Sequence, residues 1–529
     1  MTSYSVVYRP RKELYRCVIR GRRRGVRVGI LMPIPYAAAS CSLFLHYVYT
    51  YLCESGVEVY RFFYNTDQNV VETPDGMIDP RRLDILLVSL PYELDYVYAI
   101  RAMRAMGIDI PRRERHKPIV VAGGLAPSAN PLPLIDIADA VVIGEGEDFI
   151  YRIVEGICTD EDDYKTCIDR IEDLKYVYSR NKSKSFEKVK RYVVQNLDES
   201  YHPTRYVFSI DEEPVYGVGV LLELSRGCPR LCAFCMESHV MYPFRYRSLN
   251  RVVEIIEEGS RNLGVKRVIF YSLAIFDIPY TDKLLRALLE CGYRASIPSL
   301  RPDYINEDRI EVIKALGQNT ITIAPESFVY ETCRRIGKVF DVDKLSEAVV
   351  YALDKAGFRH VKLYLILGFP WSSDFEKEIN SVVEVVKNII SRCSRRRRAM
   401  IRITVNPLIP KPWTPFRRYP PSYVLKLSDV VYKCSQRLRE LGKAVEVDVY
   451  PPEWGFVQAV IALGNENISR VLIEWSEKSL TPSVFKSLVG NIEYVHKGWR
   501  ECDPPWEQII DVGINPKYFD AREKSFSYV

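Results

Sequence analysis

Along the first third of the chain, short apolar runs alternate with stretches of helical periodicity. Residues 26–35 (VRVGILMPIP) predict a buried strand, 42–55 a helix, 57–64 a second strand and 83–90 (LDILLVSL) a third. A helix over 95–106 follows, then a fourth strand at 118–122 ending in Gly123-Gly124. A short fifth strand at 140–143 runs into Gly144-Glu145-Gly146-Glu147. Continuous apolar strands separated by helices of this length predict a parallel sheet covered on both faces. The expected fold of residues 1–158 is therefore an α/β, doubly wound, Rossmann-like domain. Residues 159–215 are dominated by charged and polar positions and predict a linker with local helix.

From residue 216 a second series begins, with strands at 217–226, 265–273, 294–300, 320–324, 360–368 and 400–407. Amphipathic helices at 249–263, 281–291, 341–356 and 373–391 lie between them. Six strand–helix units predict a partial (βα)6 barrel over 216–420, with its chemistry at the C-terminal ends of the strands. After KPWTPFRRYPP (411–421) the periodicity is helical, with helices expected at 423–441, 456–463 and 468–476. A mainly helical C-terminal module over 421–529, placed to cap the open barrel, is the expectation.

The chain has 529 residues, 47% hydrophobic and 27% charged, which fits several globular domains. Its 74 Lys and Arg against 68 Asp and Glu leave a net charge of +6. The basic positions gather at 20–27, 112–117, 182–191 and 392–398, with Arg402 beyond. Such runs form either solvated helix ends or patches that grip phosphate, so RNA stays open as a partner. No apolar run is long enough for a transmembrane segment, and no apolar core follows the basic N-terminus as in a signal peptide. A cytoplasmic location is expected. Most of the 13 cysteines are scattered singly, which predicts free core thiols rather than a disulfide framework.

One tight cysteine group stands out, in LLELSRGCPRLCAFCMESH. Cys228, Cys232 and Cys235 follow the first barrel strand on a short loop, beside Gly227 and Pro229. Three thiolates converging there hold an iron–sulfur cube with one iron left open. The other reading is a structural zinc with His239 as fourth ligand. It leads to a zinc-stabilised nucleic-acid-binding protein without catalysis.

The CxxxCxxC spacing, with Phe234 before the third cysteine, is similar to the signature of the radical S-adenosylmethionine (SAM) superfamily. The resemblance extends through VVAGGLAPSANPLPLIDIADAVVIGEGE (120–147), IPSLRPD, TITIAPES, CRRIGK, VKLYLILGFP, NPLIPKPWTPF and PPWEQIIDVGI (504–514). Over residues 26–515 the chain resembles a radical SAM subgroup with an N-terminal cobalamin-binding-like domain. That resemblance implies a [4Fe–4S] cluster on Cys228, Cys232 and Cys235, and SAM chelating the open iron. Reductive cleavage of SAM would then give a 5′-deoxyadenosyl radical, fed by an electron donor of flavodoxin or ferredoxin type. Phe234 matches the aromatic that contacts adenine. Ser272 and Leu273 stand where members carry Gly-Gly-Glu. Arg301 is a candidate for the SAM carboxylate and Glu326 for the ribose, with Ser299 and Ser327 at the same strand ends as further cofactor-site candidates. Lys362 and Gly368 mark the strand whose edge packs on adenine. Backbone groups at Gly123, Gly124, Gly144 and Gly146 are candidates for cobalamin.

Two departures qualify the picture. The DxHxxG motif that supplies a cobalt ligand is absent, so the domain either binds cobalamin without a protein ligand or keeps only the scaffold. Cys17, Cys41 and Cys53 are not arranged to form a second cluster, which disfavours methylthiolation. C–H abstraction followed by methylation or C–C bond formation is the expected chemistry. The substrate stays open among an RNA nucleotide, a lipid or other apolar metabolite, and a peptide.

Overall fold

The computed structural model describes residues 6–16, 25–159, 161–182, 187–371, 375–394 and 400–526. Cys17 and parts of three basic runs (20–24, 183–186 and 395–398) lie outside the described residues.

The strands at 85–89, 119–123 and 140–142 are apolar at nearly every position, as a doubly covered sheet requires. The N-terminal strands are β1 (Val6–Tyr8), β2 (Arg27–Met32), β3 (Glu58–Asn65), β4 (Val70–Thr73), β5 (Ile85–Ser89), β6 (Ile119–Gly123), β7 (Ala140–Val142) and β8 (Val177–Tyr178). They pair in the order β1-β4-β3-β2-β5-β6-β7-β8. The five strands expected from the apolar runs, β3-β2-β5-β6-β7, form a parallel centre. The sheet as a whole is mixed, because β4 runs antiparallel to β3 and β8 antiparallel to β7. These edge strands are too short for periodicity to register. The stretch expected to be linker also carries a helix, Tyr164–Glu172, and β9 (Val189–Lys190).

The second series holds β10 (Val220–Glu223), β11 (Ser225–Arg226), β12 (Arg245–Tyr246), β13 (Arg267–Tyr271), β14 (Arg294–Ser296), β15 (Thr320–Glu326), β16 (His360–Leu367), β17 (Ile401–Pro407) and β18 (Val445–Val449). β10-β13-β14 and β15-β16-β17-β18 are two parallel sheets, joined by a single bridge between Leu300 and Ile323. They form an open, partial barrel. β11 and β12 make an antiparallel ribbon beside the cysteine loop. β18 was not expected. Its sequence VEVDV alternates, with Glu446 and Asp448 exposed, and it extends the barrel by a seventh parallel strand beside β17. A last short strand, β19 (Ile510–Asp511), pairs with β9.

The C-terminal helices divide between the two halves: Val431, Cys434 and Leu438 of the helix Ser428–Arg439, and Phe526 ending the helix Lys517–Phe526, join the barrel core, whereas the helices Pro452–Ala462, Asn467–Trp475 and Pro482–Val489 pack elsewhere. Phe456, Val460, Leu472, Trp475 and Phe485 share one core with Leu31, Leu86, Val88 and Val120, covering a face of the N-terminal sheet. Asn130 Nδ2 donates to the carbonyls of Ala462 (2.9 Å) and Gly464 (2.7 Å), and Arg101 Nε to that of Ser476 (2.9 Å). Trp413, wholly buried, donates from Nε1 to the Ala129 carbonyl at 2.8 Å. The block KPWTPF is thus a seam between barrel and N-terminal sheet.

The thiol expectation is corrected at two places. Cys158 and Cys167 form a disulfide with Cα atoms 5.2 Å apart, and Cys53 is also disulfide-bonded. Cys158, just beyond the helix Glu147–Glu155, meets Cys167 in the helix Tyr164–Glu172, joining two thiols that the sequence separates by nine positions.

His46 and His202 are buried in the neutral form. His46 accepts the Val207 N–H at Nδ1 and faces the Ser40 carbonyl with Nε2; burial lowers its pKa to about 4. His202 accepts the Glu223 N–H at Nε2, and burial together with Arg247 lowers its pKa to about 3. Unfolded histidine titrates near 6.5, so below that pH the unfolded chain takes up protons that the folded chain refuses. Stability is therefore full above pH 6.5 and falls as pH drops toward 4. The melting temperature should be level near pH 7 to 8 and decline already between pH 6.5 and 5, before most carboxylates titrate. A flat profile down to pH 5 would contradict this.

Candidate functional site

The loop from Gly227 to Cys235 is shaped before any ligand arrives. Leu231 holds a left-handed backbone (φ +44), a rare state for a branched residue that neighbouring structure must enforce. Ala233 N–H donates to the Ile336 carbonyl (3.0 Å), and Arg522 Nη1 donates to the Leu231 carbonyl (2.7 Å). Cys235 opens the helix Met236–Val240, its Sγ facing the Ser238 N–H at 3.4 Å. Cys232 is buried while Cys228 and Cys235 are part-exposed. Burial pushes the Cys228 thiol up, and the Cys235 thiol up to about 12. Arg301 Nη1 lies 3.3 Å from Cys232 Sγ, so a cation already stands beside this sulfur.

His239 cannot complete a zinc site from where it stands. Its Nδ1 is 2.7 Å from the Cys235 carbonyl, and the ring packs edge-on against Phe519 with Nε2 buried and unpartnered. Among the described residues no three His, Cys, Asp or Glu side chains converge on a single-ion site. A lone zinc would draw thiolates to within about 4 Å of one another. The three soft thiols on one loop, two of them part-exposed, suit a polynuclear iron–sulfur cluster.

Beside this loop a cavity of about 980 Å³ opens between the carboxyl ends of the N-terminal strands and the interior of the barrel. One wall carries Leu43, Phe44, Tyr47, Gly124 and Gly144 to Glu147; the other carries Ser225 to Gly227, Ser272, Leu273, Ser299 and Tyr364. The structure thus brings Ser272, Leu273 and Ser299 onto the same space as Gly124, Gly144 and Gly146.

Other expected site residues are placed differently. Arg301 is engaged by Asp303 (2.9 Å) as well as by Cys232. Glu326, with a left-handed backbone (φ +65), is buried against Lys338 Nζ at 2.8 Å. Lys338 in turn stands 5.6 Å from the centre of the Phe234 ring. Ser327 Oγ accepts from the Val329 N–H, a local turn contact. Lys362 lies on the inner face of β16, 5.0 Å from the Tyr364 ring centre. Gly368 is turned away from the cavity. Its N–H donates to Glu378, its carbonyl accepts from Tyr423, and a Cβ there would strike Leu427 at 2.5 Å.

Two of the N-terminal glycines answer to the backbone itself. Gly124 (φ +131) passes so close to Leu90 that a Cβ would sit 2.5 Å from its carbonyl oxygen, and Gly144 (φ +99) is pressed against Tyr192. Gly123, ending β6, would meet only Val142 at 3.9 Å. Gly146 alone in the GEGE loop has nothing within 4 Å of where a Cβ would lie.

Several cavity residues were not expected. Glu145, Glu147 and Glu223 pair with Arg226, Arg245 and Arg247. Against the upward push of burial, Arg226 and Arg247 hold the Glu223 carboxyl at about 2. Glu237, two positions after the third cysteine, faces the same space. Alternating charges in GEGE were the only local signal, and their partners lie some 80 to 100 positions away.

Comparison with known proteins gives the following. Residues 70–179 match the family described as radical SAM proteins, N-terminal, and residues 222–380 match the radical SAM superfamily. An uncharacterized protein of Methanocaldococcus jannaschii is 28% identical over 490 residues, 91% of this chain and 98% of that protein. An uncharacterized methyltransferase of Pyrococcus horikoshii is 27% identical over 265 residues, 47% of this chain and 53% of that protein. Among solved structures, the radical SAM methyltransferase TsrM from Kitasatospora setae, with cobalamin and a [4Fe–4S] cluster bound, aligns with a TM-score of 0.48 at 14% identity. The alignment covers 72% of this chain and 75% of that one.

Proposed function

Because the chain belongs to the radical SAM superfamily, we propose that it cleaves SAM at a [4Fe–4S] cluster on Cys228, Cys232 and Cys235 and uses cobalamin in the cavity to methylate its substrate. The cavity carries this reading. It joins the glycine loops of a parallel sheet, where ligands of such sheets bind, to the strand ends of the barrel. The name of the Pyrococcus relative, a methyltransferase, agrees with it.

The cluster and SAM together supply a 5′-deoxyadenosyl radical, the oxidant for an unactivated C–H bond. The chain's own residues arrange the partners. Arg301 places a positive charge against Cys232, and Lys338 neutralises Glu326 beside Phe234. The Ser225 and Ser272 hydroxyls, 2.7 Å apart, form a polar ledge on the barrel wall. Leu43, Phe44 and Leu273 line the space with apolar surface and limit water at the reacting centre. His202 also lines it, but both ring nitrogens are occupied, by the Glu223 N–H and the Pro203 carbonyl. A corrinoid there would lack an imidazole ligand.

The test uses protein reconstituted with iron and sulfide without oxygen, then supplied with SAM, dithionite and hydroxocobalamin. The expected result is 5′-deoxyadenosine, with corrinoid retained through gel filtration and no imidazole signature in its spectrum. Gly146 lines the cavity and has nothing within 4 Å of where a Cβ would lie, so Gly146→Leu should keep full iron content and lose at least about tenfold in corrinoid affinity. Wild-type protein that retains no corrinoid would sink the cobalamin part of this reading. Absence of 5′-deoxyadenosine would sink the whole.

A further inference from the structure

Arg226 spends its whole guanidinium on three carboxylates from two parts of the chain. Nε donates to Glu223 Oε1 (2.6 Å), Nη1 to Glu145 Oε2 (2.9 Å), and Nη2 reaches Glu147 Oε1 (2.6 Å) and Glu223 Oε2 (3.0 Å). Glu145 is also gripped by Arg245, at 2.6 and 3.1 Å, and by the Val194 N–H at 2.8 Å. Arg247 completes the set on Glu223 at 3.0 Å. Arg226 and Arg245 face one another in the β11–β12 ribbon, so both reach Glu145 from one side. The array holds three guanidinium groups and three carboxylates, and it is neutral. Neutrality permits burial, and removing one member would leave a charge without a partner.

Its two ends have different duties. Glu145 and Glu147 belong to the loop that walls the cavity at Gly144 and Gly146. Arg226 is separated from Cys228 by Gly227 alone. A Cβ on Gly227 would lie 2.5 Å from the Met241 carbonyl oxygen and 2.8 Å from that of Pro243. The cysteine loop therefore has no slack where it leaves Arg226, and a shift of that side chain passes directly to Cys228.

We propose that Arg226 is a positioning residue that ties the cysteine loop to the Gly144–Glu147 loop and so fixes the separation between the cluster and the cavity's N-terminal wall. The proposal rests on the functional reading above. A radical must form within reach of its target, and misplacement by about 1 Å costs on the order of a hundredfold in rate.

Arg226→Gln and Glu147→Gln are compared singly and combined. Each single variant unbalances the array and should lower the melting temperature. The double variant is balanced again, two charges against two, and should recover most of it. Charge balance alone therefore predicts a double variant that behaves as wild type throughout. Positioning predicts otherwise. With wild-type iron content and near wild-type melting temperature, the double variant should exchange amide hydrogens of the 227–236 segment at least about tenfold faster and form 5′-deoxyadenosine at least about tenfold slower. Wild-type exchange in that segment would overturn the proposal. The exchange measurement decides even for protein that cleaves no SAM, so a failure of the functional reading is seen separately. If the double variant does not fold, Arg226→Lys serves. It keeps the charge and loses the multi-carboxylate fork, so the same exchange difference is expected of it.

Discussion

Replacing Cys228, Cys232 or Cys235 singly by alanine is expected to abolish 5′-deoxyadenosine formation and to reduce bound iron and sulfide sharply. On the proposed reading the three thiolates would hold the cluster and leave it a site for SAM. Two protein ligands leave two irons open and the cluster without its distinct site. The structure adds a ranking to this. Cys232 is the buried member and the one that meets Arg301, so its loss leaves a cation 12% exposed without its sulfur. Cys232→Ala should therefore lose the most iron. Cys291, exposed on the far end of a barrel helix, and Cys434, buried in the barrel core, are the controls. Cys291→Ser and Cys434→Ala should retain iron and activity. A single variant of the trio with full iron and full 5′-deoxyadenosine yield would refute the assignment.

Trp413→Ala is expected to destabilise the protein by about 3–5 kcal/mol, the usual cost of emptying a buried indole site. The side chain is 1% exposed and packs on Phe519 with ring centres 6.3 Å apart. Its loss also strips the Ala129 carbonyl of its only indole donor, in a segment that runs directly from β6 toward β7. Because Trp413 pins the barrel's exit segment to the N-terminal sheet, the effect should reach the cavity between them. Trp413→Phe keeps most of the packing and gives up the hydrogen bond, at about 1 kcal/mol. Chemical unfolding would check both. An alanine variant within about 1 kcal/mol of wild type would mean the seam is held elsewhere.

What the sequence made legible was local. Cys228, Cys232 and Cys235 sit within eight positions, so their convergence needs no tertiary information. Strands such as Ile85–Ser89 and His360–Leu367 are apolar enough to stand out by themselves. What stayed hidden was long-range or weakly patterned. β18 alternates Val with Glu and Asp because its inner face meets an open interior rather than a core, and it lies where helical periodicity surrounds it. The helices Pro452–Ala462, Asn467–Trp475 and Pro482–Val489 have an apolar face whose partner periodicity cannot name; it is the sheet some 350 residues earlier. Gly124 and Gly144 are glycines for reasons of close backbone approach, and only coordinates separate them from Gly146. Arg226 reads as an ordinary surface cation until Glu145 and Glu147 are docked against it.

The Cys158–Cys167 bond gives this molecule two opposed sulfur requirements. For the proposed cluster the cysteines at 228, 232 and 235 would have to be reduced to accept iron, and the reagents that keep them so attack disulfides as well. Residues 158 and 167 are 2% and 5% exposed, which slows that attack but does not stop it during a partial opening of the two helices. Closing a loop of nine positions is worth about 2–3 kcal/mol in the chain-entropy account. The order of bench operations thus becomes a stability variable. Protein loaded with iron under strong thiol reductant and protein loaded under a non-thiol reductant such as dithionite will melt at different temperatures with the same cluster content. Preparations should be compared only after counting free sulfhydryls.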